Sequence, residues 1–90
     1  NDDVIRVDVM SPRGRVDILI EDTLVWDINH ALQPERIESV LSRTQALSEK
    51  WMVWILLFKT SEMVRVELER KIEDYKPKNK VVAITLDAEL

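Results

Sequence analysis

Cysteine is absent from this chain of 90 residues, which also has only one glycine and one histidine. The lack of cysteine excludes disulfides, thiol nucleophiles and cysteine-based zinc sites, and it is typical of a reducing compartment. A single histidine excludes the usual histidine-based zinc sites. A single glycine excludes the glycine-rich loops that cradle phosphates. An ordinary nucleotide-binding enzyme is therefore not expected.

Long hydrophobic runs and excess positive charge are also missing. The longest apolar run covers residues 51–58, which is far too short to span a bilayer, and no basic and then apolar segment opens the chain. The cytoplasm is the expected compartment, and no membrane partner is expected. A net charge of −4 argues against a protein that coats nucleic acid by charge alone. Because the chain begins at Asn1 and not at Met, an excised domain is one expectation.

The composition that remains is globular. Hydrophobic residues make up 46% of the chain and charged residues 33%, which predicts a single domain over residues 1–90 with one modest core.

The first third of the chain predicts three antiparallel strands. Apolar and polar residues alternate over residues 4–10 and 15–20, and again from residue 24 to residue 29. The sequence from Ser11 to Gly14 matches a type I turn, and residues 21–23 predict a second turn. In this register Val7 faces Ile18, Ile18 faces Trp26, and the three aspartates Asp8, Asp17 and Asp27 form a row.

This register sorts the side chains onto two faces, and a slip by one residue would destroy the sorting. We expect the wholly apolar face to lie on the core; it carries Ile5, Val7, Val9, Val16, Ile18, Ile20, Leu24, Trp26 and Ile28. The opposite face carries Arg6, Asp8, Met10, Arg15, Asp17, Leu19, Val25, Asp27 and Asn29.

The rest of the chain predicts two helices and two parallel strands. A helix is expected over residues 34–49, and residues 51–58 predict a central strand covered on both faces, with Trp51, Met52 and Trp54 in the core. Thr60 or Ser61 is placed to cap a helix that ends near Tyr75, and residues 81–86 predict the last strand. The expected fold is α/β: a mixed β-sheet in the order β-β-β-α-β-α-β, with helices packed on the sheet.

The row of aspartates is the candidate site. Residues facing each other on neighbouring strands have Cβ atoms about 4.5–5.5 Å apart, so their like charges need an offset. Mg²⁺ or Mn²⁺ held by Asp8, Asp17 and Asp27 is one possibility, since these ions take carboxylates and water. Pairing with Arg6 and Arg15, or exposure of the carboxylates to water, is the other.

Residues 14–86 resemble the core of the PD-(D/E)XK, or restriction-endonuclease-like, nuclease superfamily. Asp17, in Gly14-Arg15-Val16-Asp17, matches the segment with the first metal-binding Asp. Asp27, in Val25-Trp26-Asp27-Ile28-Asn29, matches the acidic position of the (D/E)XK strand. The resemblance implies a catalytic set of Asp17, Asp27 and Asn29, with Asn29 standing where the family has Lys. A neutral amide cannot supply the charge with which that Lys stabilises the reacting phosphate.

Three hypotheses follow for the function. The first is a catalytically degenerate domain of nuclease-like fold that binds or scaffolds in nucleic-acid processing, with Arg13, Arg15 and Lys59 as candidate contacts to nucleic acid. The second is an active metal-dependent nuclease that uses Asp17 and Asp27. The third is a protein-interaction domain, in which a free sheet edge or the Trp-bearing surface forms a homo-oligomer or binds a protein partner. His30 is expected to be a loop residue or a local hydrogen-bond partner, and the basic residues near the end of the second helix are expected to form a solvated face.

Overall fold

The computed structural model describes residues 4–86 as one mixed sheet with two helices. The elements, in chain order, are β1 (Ile5–Ser11), β2 (Gly14–Ile20), β3 (Leu24–His30), α1 (Ile37–Ser48), β4 (Met52–Phe58), α2 (Glu62–Tyr75) and β5 (Val81–Leu86). A 3₁₀ turn over Pro34–Arg36 leads into α1. The α/β class and the order β-β-β-α-β-α-β are as predicted.

Both predicted hairpin turns are present. In the first, Ser11 pairs with Gly14, and the hydroxyl of Ser11 accepts a hydrogen bond of 3.1 Å from the backbone N–H of Arg13. Gly14 has a φ of 121°, which an L side chain rarely adopts. In the second turn Ile20 pairs with Leu24, and the two residues after Ile20 both have positive φ. This left-handed geometry matches the twist of a hairpin even without glycine.

The sheet has the strand order β1-β2-β3-β4-β5. The first three strands are antiparallel, whereas β3, β4 and β5 are parallel. The two crossovers, through α1 and α2, step in the same direction across the sheet. Because such crossovers are right-handed, both helices lie on the same face of the sheet. The described part of the chain is accordingly a slab, with extents of 41 × 35 × 18 Å.

The core lies between that face and the helices. It is built from odd-numbered residues of the central strands, with inward residues of both helices: Leu19, Val25, Val53, Ile55, Leu57, Ala83, Ile37, Val40, Leu41, Leu47, Val64, Leu68 and Ile72. The predicted core face is therefore wrong for most of its members. Trp26, Leu24 and Ile18 lie on the other face, which neither helix covers.

Two members of the predicted core face, Val9 and Val16, do reach the core. They pair with each other beyond Asp8, which has a φ of 58° and interrupts the ladder opposite Asp17. The simple alternation ends at this point, because a left-handed residue turns the strand. The tip of the β1–β2 hairpin consequently presents Val9 and Val16 to the helices, while Ile5 and Val7 stay on the uncovered face.

The prediction that residues 51–58 are covered on both faces is also wrong. Trp51 is buried, but Met52 is exposed and Trp54 is half-buried. Met52, Trp54, Leu56 and Phe58 point away from the helices, since the buried cluster takes Val53, Ile55 and Leu57 instead. Among residues 4–86, the helices cover only one face of β4, although Leu56 on the other face is 6% exposed.

The second helix begins at Glu62 and is capped by Ser61, one of the two residues predicted for this role. The Ser61 side chain accepts a hydrogen bond of 3.3 Å from the backbone N–H of Val64. Thr60 has a different role, because its hydroxyl accepts from the backbone N–H of Leu32 at 3.2 Å and ties the end of β4 to the loop after β3. Within residues 4–86, no helix is long and apolar enough to cross a membrane.

Candidate functional site

The candidate site is a recess of about 340 Å³ at the end of the sheet where β3 finishes. It is lined by strand residues Arg15, Asp17, Asp27, Ile28 and Asn29, and by Arg36 and Arg43 from the α1 side. Asp17, Asp27 and Asn29, predicted as one set, therefore share a recess. Asp8 does not line it, and no ladder pair joins Asp17 to Asp27.

Asp27 is the buried acid of the recess. Its side chain is 4% exposed, because odd-numbered residues of β3 face the helices. Arg43 of α1 meets it with two parallel hydrogen bonds: Nε donates to Oδ1 and Nη2 to Oδ2, both at 2.9 Å. Such forked pairs between arginine and a carboxylate are the strongest side-chain ion pairs in geometry and energy. Arg43 thus offsets the charge of Asp27 from within the chain.

Asn29 completes the contacts of Asp27. The Nδ2 of Asn29 donates to Asp27 Oδ2 and to the Asp27 backbone carbonyl, both at 3.1 Å. The Asn29 amide oxygen accepts from Arg43 Nη2 at 3.4 Å. The amide therefore joins the ion pair as a neutral bridge. It brings no positive charge to the recess.

Asp17 is held by the strands themselves. Its Oδ2 accepts a hydrogen bond of 2.9 Å from the backbone N–H of Ile28, which takes the place of a ladder bond beyond the Ile18–Trp26 pair. Its Oδ1 accepts from Arg15 Nη1 at 3.0 Å, and Arg15 Nε donates to Asp8 at 2.6 Å. Arg15 consequently links Asp17 to Asp8 and offsets both carboxylates.

The arginines are the charged partners that the aspartate row requires. The hydrogen bond to Asp27 raises the pKa of Arg43 above its ordinary value, although partial burial works against it. The hydrogen bond to Asp8, followed by the charges of Asp8 and Asp17, raises the pKa of Arg15. Arginine pairs with the acids through Arg15, as predicted, and through Arg43. The predicted pairing with Arg6 is wrong, because Arg6 lies 4.0 Å from Asp22.

A metal site at Asp8, Asp17 and Asp27 stays a prediction. In the part of the chain that the structure describes, no group of three or more His, Cys, Asp or Glu is arranged to hold a metal ion. An Mg²⁺ or Mn²⁺ ion bound to Asp17 and Asp27 together would lie beside the guanidinium groups of Arg15 and Arg43, which contact these carboxylates at 2.9 to 3.0 Å and would repel it.

The candidate contacts to nucleic acid lie at the same end of the sheet as the recess. Arg13 is exposed in the β1–β2 turn, and Lys59 is exposed directly after β4. Arg15, in contrast, is already bound to Asp8 and Asp17. The basic residues of α2 pair with its own acids and with Glu38: Arg65 with Glu62 and Glu69, Arg70 with Glu67, and Lys71 with Glu38 and Glu67.

Two residues of the recess, Arg36 and Arg43, were missed from the sequence. They are seven positions apart, so two helical turns bring both to one side of α1. Arg43 also stands three residues after the buried Val40 and four before the buried Leu47. The ion pair of Asp27 and Arg43 could have been found from one signal. A strand has an interior Asp, and the helix that follows it has a charged residue beside its inward-facing apolar residues.

Comparison with protein-family models, with curated proteins and with solved structures finds no match. The function is therefore inferred from the contacts in the recess and from the surfaces around it.

Proposed function

We propose that this chain is a binding or scaffolding domain of nuclease-like architecture that takes part in nucleic-acid processing and does not catalyse. The proposal rests on the ion pair between Asp27 and Arg43. In the family that the chain resembles, the residue at the position of Asp27 holds a metal ion, and a guanidinium paired with that carboxylate opposes a second cation there. Here both oxygens of Asp27 accept hydrogen bonds from Arg43.

The charge of the recess also supports a role without catalysis. Cleavage of a phosphodiester needs positive charge or metal placed on the reacting phosphate. Arg43 and Arg15 are paired with carboxylates, and Asn29 is neutral. Arg36 also lines the recess, but it comes from the turn before α1 and not from the strand position where the family has Lys. The exposed cations near the recess, Arg13 and Lys59, can still contact a phosphate backbone without cleaving it.

An active metal-dependent nuclease is the second candidate. The observation that favours it is the shared recess of Asp17 and Asp27, which is the pair that the resemblance assigns to metal. For this function, the ion pairs would have to open, and Arg36, a second chain or a further segment would have to supply positive charge at the reacting phosphate.

A paired assay of binding and cleavage tests the proposal. We expect labelled single-stranded and double-stranded DNA and RNA to shift at low salt, to lose the shift as salt rises, and to stay uncut in Mg²⁺ or Mn²⁺. Lys59→Glu should weaken binding to all sequences alike. Lys78→Glu makes the same charge change before β5, at the opposite end of the sheet, and should leave binding unchanged.

The outcomes separate the candidates. Metal-dependent cutting that Asp17→Asn and Asp27→Asn each abolish would establish the nuclease and refute the proposal. The absence of any shift at low salt would remove nucleic acid from the function and leave a protein-interaction domain.

A further inference from the structure

The face of the sheet opposite the helices, here called the open face, has no polar side chain in its interior. It consists of one row of side chains from each strand: Ile5, Val7, Ile18, Ile20, Leu24, Trp26, Ile28, Met52, Trp54, Leu56, Phe58, Val82, Ile84 and Leu86. Every one of these residues is apolar. A sheet face that meets water normally carries polar side chains, so an entirely apolar face needs a cover.

Of these fourteen side chains, four are exposed, nine are half-buried, and one, Leu56, is buried with 6% exposure. Val7 is 69% exposed, Ile5 61% and Ile28 43%. Trp26 and Trp54 are half-buried. A contiguous apolar patch of this kind marks an interaction site.

The tryptophan pair lies at the centre of the open face. Trp26 is in the middle strand of the sheet and pairs across the ladder with Trp54, and their rings stack with centroids 6.1 Å apart and planes 14° apart. Tryptophan is among the residues that contribute most when an interface is formed, particularly near its centre. The patch therefore has a rigid aromatic centre with aliphatic side chains around it.

We propose that the open face binds the open face of a second copy of this chain, so that two sheets stack into a symmetric dimer of four layers. Five strands about 4.8 Å apart and about 20 Å long present roughly 500 Å² in projection, and the accessible area of a corrugated face is larger. A stable interface of standard size takes about 800 Å² from each partner. The open face is thus close to the area that a dimer needs.

Charge limits the surfaces through which two copies can associate. The chain carries a net charge of −4, so two copies repel wherever their charged surfaces meet. The open face keeps charged side chains out of the contact, and a two-fold axis beside Trp26 would bring apolar residues of one copy onto apolar residues of the other. The open face adjoins the recess at Ile28, which belongs to both, whereas Val7 does not line the recess. The proposed dimer does not depend on whether the recess binds nucleic acid.

Sedimentation analysis of the 90-residue chain tests the dimer. We expect twice the chain mass of 10.6 kDa, with dissociation on dilution over concentrations from about 100 μM down to about 1 μM. Ile28→Glu should weaken the dimer about 100-fold or more, because symmetry places a Glu from each copy in a dry contact. Val66→Glu is the matched control: Val66 is 49% exposed on α2, off the open face, and its variant should remain dimeric.

Circular dichroism shows whether each variant is folded, and Val7→Glu, at a more exposed position, replaces Ile28→Glu if the latter unfolds. A folded monomer for the open-face variant beside a dimer for Val66→Glu supports the proposal. A wild-type monomer at every concentration would overturn it, and so would a dimer that Ile28→Glu and Val7→Glu leave intact. A wild-type monomer that binds phosphatidylcholine vesicles would indicate that the open face binds lipid, and this would also overturn the proposal.

Discussion

Replacing Arg43 by Met is expected to lower the free energy of unfolding by about 3–5 kcal/mol, since removing one partner of a buried ion pair leaves the other charge uncompensated. The Asp27 side chain is only 4% exposed and cannot turn to water when Arg43 is gone. Urea denaturation at one protein concentration, kept low enough for the monomer, measures the loss as a lower midpoint with an unchanged slope.

Replacing Asp27 by Asn should lower the free energy of unfolding by less than Arg43→Met does. Arg43 is 33% exposed, so in Asp27→Asn the guanidinium can reach water, and Asn29 keeps a neutral amide beside it. The double variant Asp27→Leu with Arg43→Met should recover most of the stability, because apolar residues often replace a buried pair without loss. A loss below about 1 kcal/mol for Arg43→Met would show that Asp27 is not dependent on Arg43.

Shortening Leu57 to Ala is expected to cost about 2–5 kcal/mol, because Leu57 is fully buried between β4 and the helices and its removal leaves a cavity. In a domain of this size, each kcal/mol lowers the thermal midpoint by about 4–8 °C, so the shift is measurable by calorimetry or circular dichroism.

Met52→Ala, in the same strand, is the control for Leu57→Ala. Met52 is 40% exposed on the open face, so its truncation should change the stability of the monomer by about 0.5 kcal/mol or less. Equal losses at the two positions would mean that β4 is covered on both faces, as the sequence alone predicts. That result would contradict the arrangement in which both helices cover the same face of the sheet.

Most of the elements could be predicted from local patterns. The alternation over the first two strands, the Pro and Gly of the Ser11–Gly14 turn, and the serine before α2 each act within a few residues. Such signals need no knowledge of the rest of the chain. They therefore predicted the hairpin register between Val7 and Ile18 and the cap at Ser61.

The buried face of the sheet could not be predicted from the same patterns. A run of apolar residues such as Ile18, Ile20 and Trp26 indicates contact with other apolar groups, but not whether these belong to the same chain. The helices lie on the face opposite these residues, because both crossovers are right-handed and each moves one strand further from β1. The strand order decides this, and the strand order is a property of the whole fold.

The candidate site was predicted in part. Interior aspartates in adjacent strands indicated that Asp17 and Asp27 lie near each other, and they do share the recess. The partner of Asp27 was missed, because Arg43 comes from a helix sixteen residues further along the chain and only the packing of α1 brings it there. The interruption at Asp8 was missed for a similar reason, since a left-handed aspartate leaves no mark in an alternating pattern.

A thermal unfolding titration with Mn²⁺ or Mg²⁺ tests most directly whether Arg43 has taken the place of a metal ion at Asp27. An ion that binds only the folded chain adds about 2.7 kcal/mol of stability at 100 times its dissociation constant, which would raise the midpoint by several degrees. We predict that about 10 mM of either ion leaves the wild-type midpoint within about 1 °C of its value in chelator, as it does for Asp27→Asn. If the midpoint of the wild type instead rises to a plateau and Asp27→Asn abolishes the rise, Asp27 binds metal and the claim that Arg43 takes the place of the ion is wrong.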